Sequence, residues 1–324
     1  MTQISTPIAT PETPPEDTNG VMLAFNHSDP SGGGGLAADI LAAASAGVHV
    51  LPIATSVLVR DTSSVRDVHP LPSDLIEDQV RAVLEDMPVR AAKLGFAGST
   101  EALATLAEVL ADYPDCVLLT QLPDLTWWRA DDIDRYLDAL RELVLPQTTV
   151  LVGNRDNLQR WLLPDWTSPT PASARDLAVA AAACGCPYVL VTGIVDGDHI
   201  IYTLASPNTN ILQASFERID SPFVGAGDTL GASLAALLCL GAPDLADATQ
   251  EALTYLDRSL AAGFRPGMGR AIADRMFWAQ DDEDEQDEDA EGEGGESDAA
   301  SNGDAASDAV ASKPAPGTGS SHSS

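Results

Sequence analysis

The tetrapeptide Gly225-Ala226-Gly227-Asp228 holds the residues of this sequence best suited to chemistry. It follows the turn-forming pair Ser221-Pro222 and leads into an apolar segment with no proline before Pro243. Glycines just ahead of a helix let the backbone approach a ligand closely, and the first N–H groups of the helix have no internal partner. Together with the helix dipole, those amides form an anion site suited to phosphate. A carboxylate at Asp228, in or beside the first turn, can accept a proton from a hydroxyl held against them. Moving a phosphoryl group from a nucleotide to an alcohol requires this layout. A short glycine motif can equally be a plain turn with a capping aspartate, so its context decides.

The context is a second glycine-rich stretch near the other end of the chain. Val21–Phe25 is a short apolar run that reads as a buried strand. It leads into Asn26-His-Ser-Asp-Pro-Ser-Gly-Gly-Gly-Gly35, and Leu36–Ser45 reads as a helix. Strand, glycine loop and helix in that order place a ligand at the strand's C-terminal end. The loop lacks the Gly-Lys-Ser/Thr ending of a P-loop and does not fit the dinucleotide fingerprint.

Asp29-Pro-Ser-Gly-Gly-Gly-Gly35 with Ala38-Asp39 resembles the opening of the hydroxymethylpyrimidine and phosphomethylpyrimidine kinases of thiamine biosynthesis. Gly225–Asp228 resembles the anion-hole motif of the wider ribokinase-like kinases. The resemblance implies a ribokinase-like α/β fold, a mainly parallel sheet covered by helices on both faces. It implies ATP and Mg²⁺ as the phosphoryl donor system and a homodimer as the assembly. Asp228 would be the general base, with the amides of Gly225, Ala226 and Gly227 stabilising the transferring group. Asp29, Gly32, Gly33, Gly34, Gly35 and Asp39 would hold a pyrimidine alcohol. Gly95 and Phe96, in Ala91-Ala-Lys-Leu-Gly-Phe-Ala97, would flank the pocket, and Asn154, Thr192 and Gly193 would lie near the nucleotide phosphates.

Several positions depart from the family pattern. A polar residue that reads the pyrimidine, usually Gln or Glu, is here Arg60, which offers donors only. A strand that should end in Asp ends in Thr120-Gln121; an N-x-x-E element is Asn154-Arg-Asp-Asn157; a lysine of the nucleotide site is replaced by Thr192-Gly193. Magnesium prefers carboxylate oxygens, so these changes thin the metal support, and no metal ligand is assigned. Two other readings stay open: a catalytically weak paralogue that binds a pyrimidine or vitamin-like ligand as sensor or carrier, and a kinase for pyridoxal or a sugar.

Composition narrows the partners. Of the 324 residues, the first 20 are rich in proline and threonine and nearly free of apolar side chains. From Asp281 onward the chain has 14 acidic residues against one lysine. Both ends read as disordered, because they cannot bury enough apolar surface to offset chain entropy. The domain is therefore expected over 21–279. The tail's net charge of −13 leaves about −19 of the total −32 on the rest, which argues against nucleic acid and anionic membranes as partners. No apolar run is long enough to cross a bilayer, no signal peptide is evident, and the four cysteines form no C-x-x-C pair. The chain reads as cytoplasmic.

Helices are expected at Leu75–Asp86, Glu101–Leu110, Ile133–Leu145 and Ala172–Cys184. Strands are expected at Val48–Val59, Cys116–Thr120, Thr149–Val152 and Tyr188–Thr192, with a hairpin turning at Gly197-Asp198. Alternating strands and helices imply a mainly parallel sheet. Met276, Phe277 and Trp278 are expected to be buried in an ordered C-terminal extension.

Overall fold

A computed structural model describes residues 20–279. The ends expected to be disordered, 1–20 and 280–324, lie outside the described residues except for Gly20. The strands are β1 (Val21–Ser28), β2 (His49–Arg60), β3 (Val65–Pro70), β4 (Ala91–Leu94), β5 (Val117–Gln121), β6 (Val150–Asn154), β7 (Tyr188–Asp196), β8 (His199–Ala205), β9 (Asn210–Glu217), β10 (Phe223–Val224) and β11 (Ala271–Ile272). The helices are α1 (Gly35–Ser45), α2 (Ser73–Leu84), α3 (Thr100–Ala111), α4 (Ala130–Ala139), α5 (Arg155–Leu162), α6 (Ala174–Ala183), α7 (Ala226–Cys239) and α8 (Leu245–Ala261).

Nine strands form one sheet in the order β3-β2-β1-β4-β5-β6-β7-β8-β9. The six from β2 to β7 in that order pair in parallel, and β3, β8 and β9 join antiparallel at the edges. The central strands are near-continuous apolar runs because both faces are covered. Along β1 the side chains alternate: Leu23 and Phe25 enter one core, Met22 and Ala24 the other. The first core is closed by α2 to α6, through Ile76, Leu103, Tyr136, Trp161 and Leu177 among others. The second is closed by α1, α7 and α8, through Ala43, Leu230, Leu234 and Leu253.

This is the fold class expected, and the hairpin turns at Gly197-Asp198 with Asp196 opposite His199. Helix α8 and strands β9, β10 and β11 were not among the expected elements, nor were β3 and α5. β3 is mostly exposed and polar, so it carries no apolar alternation, and α5 is only eight residues long. The helix expected to reach Leu145 is α-helical only to Ala139, then passes through a π turn (Leu140–Val144) and a 3₁₀ turn (Leu145–Gln147) that contains Pro146. Of the three C-terminal apolar residues, only Phe277 is buried; Met276 and Trp278 are 37% and 44% exposed. Phe277 packs beside Tyr255, with the Arg258 guanidinium over its ring.

Chain order reverses between β1 and β4: β1 leads outward to β2 and β3 on one side, and the later strands continue on the other. Ligands of open α/β sheets bind beyond the strand C-termini at such a switch point. α7 packs across β1, β4 and β5 and against α1, so its N-terminus arrives at this place.

Candidate active site

β1 delivers Asn26 and His27 to the switch point, β4 delivers Lys93, α1 delivers Asp39 and α7 delivers Asp228. Within β4, Lys93 is a single cation in an apolar strand, and it is fully buried. Its ammonium donates to Asp39 Oδ1 at 2.6 Å and to Asp228 Oδ1 at 2.8 Å. The Asn26 amide bridges the same pair, donating from Nδ2 to Asp39 Oδ2 and to Asp228 Oδ1, both at 2.9 Å. Gly35 N–H, opening α1, donates to Asp228 Oδ2 at 3.1 Å. Asp228 Oδ1 thus accepts two bonds and Oδ2 one, which leaves Oδ2 capacity for a further donor.

The electrostatics follow from these contacts. Burial alone would raise the Asp228 carboxyl, but the charge of Lys93 and the bonds from Lys93 and Asn26 hold it well below the usual carboxylate range. Burial raises Asp39 to about 6 against the opposing pull of Lys93. Burial would lower Lys93, yet the two carboxylates outweigh it and raise the ammonium above its ordinary value. Burial lowers His27 despite the nearby charges of Asp228 and Asp29, which favours a neutral ring. At neutral pH Asp228 is therefore an ionised, fixed carboxylate.

Asn26, His27 and Asp228 line a cleft of about 660 Å³, with Lys93 and Asp39 buried beneath them. One end is lined by His27, Leu58, Arg60, Phe96 and Trp127, with Trp127 meeting Phe96 edge-on at 5.5 Å. That end offers a flat apolar slot with a guanidinium beside it. The other end is lined by Asn154, Thr192, Gly193, Val195, Ile219 and Leu256, and the N-terminus of α7 (Gly225 to Asp228) lies on the wall of the same cleft. Gly225 has φ 75°, and a Cβ there would lie 1.8 Å from the Gly33 carbonyl oxygen, so only glycine permits the two loops to touch. At Gly95 a Cβ would lie 2.5 Å from the Asn26 amide nitrogen, so that glycine makes room for the side chain that bridges both aspartates.

The structure gathers Gly34, Arg60, Phe96, Asn154, Thr192, Gly193, Gly225, Ala226, Gly227 and Asp228 around one cleft. It places others differently from the sequence expectation. Asp29 and Asp39, expected to contact the acceptor, have side chains with no exposure at all. Asp29 organises the loop: Oδ1 accepts from the Ser31 N–H and hydroxyl, Oδ2 accepts from Gly34 N–H, and Arg60 Nη1 lies 3.5 Å from Oδ2. Asp39 faces Lys93 and Asn26, not the cleft. Gly32, Gly33, Gly35 and Gly95 are not among the residues lining the cleft and act as backbone supports. Thr120 is buried and shares a hydrogen bond with the Thr148 hydroxyl, while its neighbour Gln121 reaches the cleft wall. Asn157 Oδ1 is taken up by Arg160 at 2.6 Å.

Sequence reasoning missed Asn26, Lys93, Gln121 and Trp127 as parts of the site. Lys93 carried a usable signal, because a lysine inside Ala91-Ala-Lys-Leu94 on a central strand must be buried and must find an anion.

The sequence model of the phosphomethylpyrimidine kinase family matches residues 29–274. The chain belongs to this family. The hydroxymethylpyrimidine/phosphomethylpyrimidine kinase of Mycobacterium tuberculosis is 32% identical over 276 residues, covering 82% of this chain and 98% of the relative. That of Streptomyces coelicolor is 28% identical over 271 residues, covering 83% and 97%. Among solved structures, Bacillus subtilis pyridoxal kinase in its ADP complex has a TM-score of 0.71 at 21% identity, covering 81% of this chain and 100% of that one. Clostridium difficile phosphomethylpyrimidine kinase has a TM-score of 0.60 at 21% identity, covering 73% and 98%. At such identities the structural likeness establishes the ribokinase-like fold and does not choose between acceptors.

Proposed function

We propose that this protein transfers the γ-phosphoryl group of ATP to the hydroxymethyl group of hydroxymethylpyrimidine or its monophosphate, in thiamine biosynthesis. One observation carries the reading: an ionised carboxylate, Asp228, fixed by three donors at the N-terminus of α7, with the Gly225–Gly227 backbone lining the same cleft. The alcohol enters the slot between Phe96, Trp127 and His27 and donates its hydroxyl to Asp228 Oδ2. Asp228 is a weak base, which suits a loose transition state in which the attacking oxygen carries little charge and loses its proton late. The amides of Gly225, Ala226 and Gly227 receive charge on the transferring group. Asn154, Thr192 and Gly193 flank the nucleotide phosphates, and Val195, Ile219 and Leu256 form an apolar shelf for the base.

Magnesium fits this cleft as a companion of the nucleotide. Among the described residues no cluster of three or more His, Cys, Asp or Glu could cage a cation. Gln121 lines the cleft wall, and its Oε1, buried with no partner in the protein, is a hard oxygen that would be free to serve the ion. Bound there, magnesium neutralises phosphate charge. We carry a homodimer and a cytoplasmic location as part of the same reading; light scattering checks the first. Among the described residues no helix is long and apolar enough to cross a membrane.

The test is ADP release with magnesium-ATP and hydroxymethylpyrimidine, its monophosphate or pyridoxal, offered separately to the wild type and to Asp228→Asn. Turnover on the pyrimidines that falls about 10³-fold in the variant supports the assignment. Turnover on pyridoxal alone changes the acceptor. An Asp228→Asn protein with full turnover removes Asp228 from the chemistry.

A further inference from the structure

Arg275 is a buried cation without a carboxylate in contact. It is 2% exposed, and among the described residues no acidic group lies within salt-bridge distance of it. Its guanidinium donates instead to neutral acceptors. Nη2 donates to the Gly33 carbonyl at 2.6 Å and Nε to the Thr229 hydroxyl at 2.9 Å. The Thr229 hydroxyl in turn donates to the Gly225 carbonyl at 2.9 Å. One planar group therefore joins the glycine loop of the acceptor side to the first turn of α7.

A lone buried charge costs several kcal/mol unless something offsets it, so this arrangement needs a reason beyond packing. Asp29, Asp39 and Asp228 lie around Lys93, Arg60 and Arg275, and all three carboxylates act on Arg275 through space. Arg275 completes a set of three anions and three cations without touching an anion. The segment that bears it is anchored independently of the guanidinium. The Arg275 carbonyl accepts from the Ser45 and Tyr255 hydroxyls at 2.8 Å each, Asp274 N–H donates to the Ser259 carbonyl, and β11 pairs with β10.

We propose that Arg275 is a positioning residue of the phosphoryl-transfer site. Its fork fixes the Gly33 carbonyl against the Gly225 turn, so that the amides opening α7 and the Asp228 carboxylate keep one geometry, and its charge adds to the positive potential at that helix end. The inference rests on reading the cleft as a phosphoryl-transfer site. It concerns a residue just beyond the 29–274 span matched by the family model.

The experiment compares wild type with Arg275→Gln, Arg275→Lys and Arg275→Ala in steady-state ADP release on the alcohol that the wild type uses, and in ATP and AMP calorimetry. Arg275→Gln is expected to lower kcat about 100-fold, the scale of a misplacement of about 1 Å, with KM for the alcohol changed less than threefold. Lysine cannot span both acceptors, so Arg275→Lys should recover only part of kcat, and methylguanidinium should raise kcat of Arg275→Ala. ATP affinity of Arg275→Gln should fall at least fivefold while AMP affinity holds. Folded fraction is read by thermal melting, and kcat is corrected for it. A corrected kcat within threefold of wild type in Arg275→Gln overturns the inference, as does full activity in Arg275→Lys. If the wild type turns over none of the alcohols, the proposed function fails on its own account; unchanged ATP affinity in Arg275→Gln then overturns this inference separately.

Discussion

Lys93→Met removes the one ammonium that two buried carboxylates share, at 2.6 Å from Asp39 and 2.8 Å from Asp228. Methionine fills a similar volume, so the change reports charge more than cavity. Breaking a buried pair by deleting one partner costs about 3–5 kcal/mol. The loss depends on pH in a stated direction. In the wild type Asp228 lies below its ordinary range, so its contribution is present above about pH 4 and is lost only as pH falls through its low folded value. Lys93 lies above its ordinary range, so its contribution is present below about 10.5 and is lost as pH rises past its folded value. Between pH 7 and 9 both act in full. Without Lys93 each carboxyl moves upward, and a proton can neutralise one of them in acid. The variant should therefore lose about 3–5 kcal/mol at pH 8 and distinctly less at pH 5. Urea denaturation at both pH values measures this. The kcat/KM profile of the variant should also gain an acid limb between pH 6 and 8 that the wild type is expected to lack. A loss under about 1 kcal/mol at pH 8, or an unaltered profile, would refute the account of Lys93 as the group that keeps Asp228 ionised.

Asp39 gives a prediction of opposite sign. Its carboxyl is raised to about 6, so the stability it lends as a neutral acid is complete below about pH 3.8 and is lost as pH rises through 6. Asp39→Asn, neutral throughout, should gain on the wild type by up to about 3 kcal/mol between pH 4 and 7.5. A stability difference independent of pH in urea titrations would reject this. Gly225→Ala meets both a positive φ and the Gly33 carbonyl, and should lower stability by at least about 2 kcal/mol and abolish turnover. A thermal melt matching the wild type would show that the two loops can part freely.

The fold was legible because its signals are local and repeated. Apolar strands, glycine loops and amphipathic helices alternate along the chain, and each is read within a window of about ten residues. Asp228 and its glycines were legible for the same reason. β3 was not, since Val65-Arg-Asp-Val-His-Pro70 sits at the sheet edge with most side chains in water and no apolar face to betray it.

What the sequence hides is the partner of each charge. Asp39 lies 54 positions from Lys93, and Asp228 lies 135 from it. Nothing in either neighbourhood announces the pairing, and a motif that contains an aspartate does not say whether it faces a ligand or another side chain. Asp29 and Asp39 both belong to the most specific motif of the chain, yet both are turned inward, one to hold its own loop and one to hold Lys93. In the proposed reading such a motif serves the ligand through groups that hold the site rather than touch the acceptor. On that reading the acceptor meets side chains outside the motif, which line the cleft: Phe96 on the β4 exit, Trp127 on the loop after β5, and Arg60 at the end of β2. Substitution of these three should alter which alcohol is used, whereas substitution of Asp29 or Asp39 should alter how well any alcohol is phosphorylated.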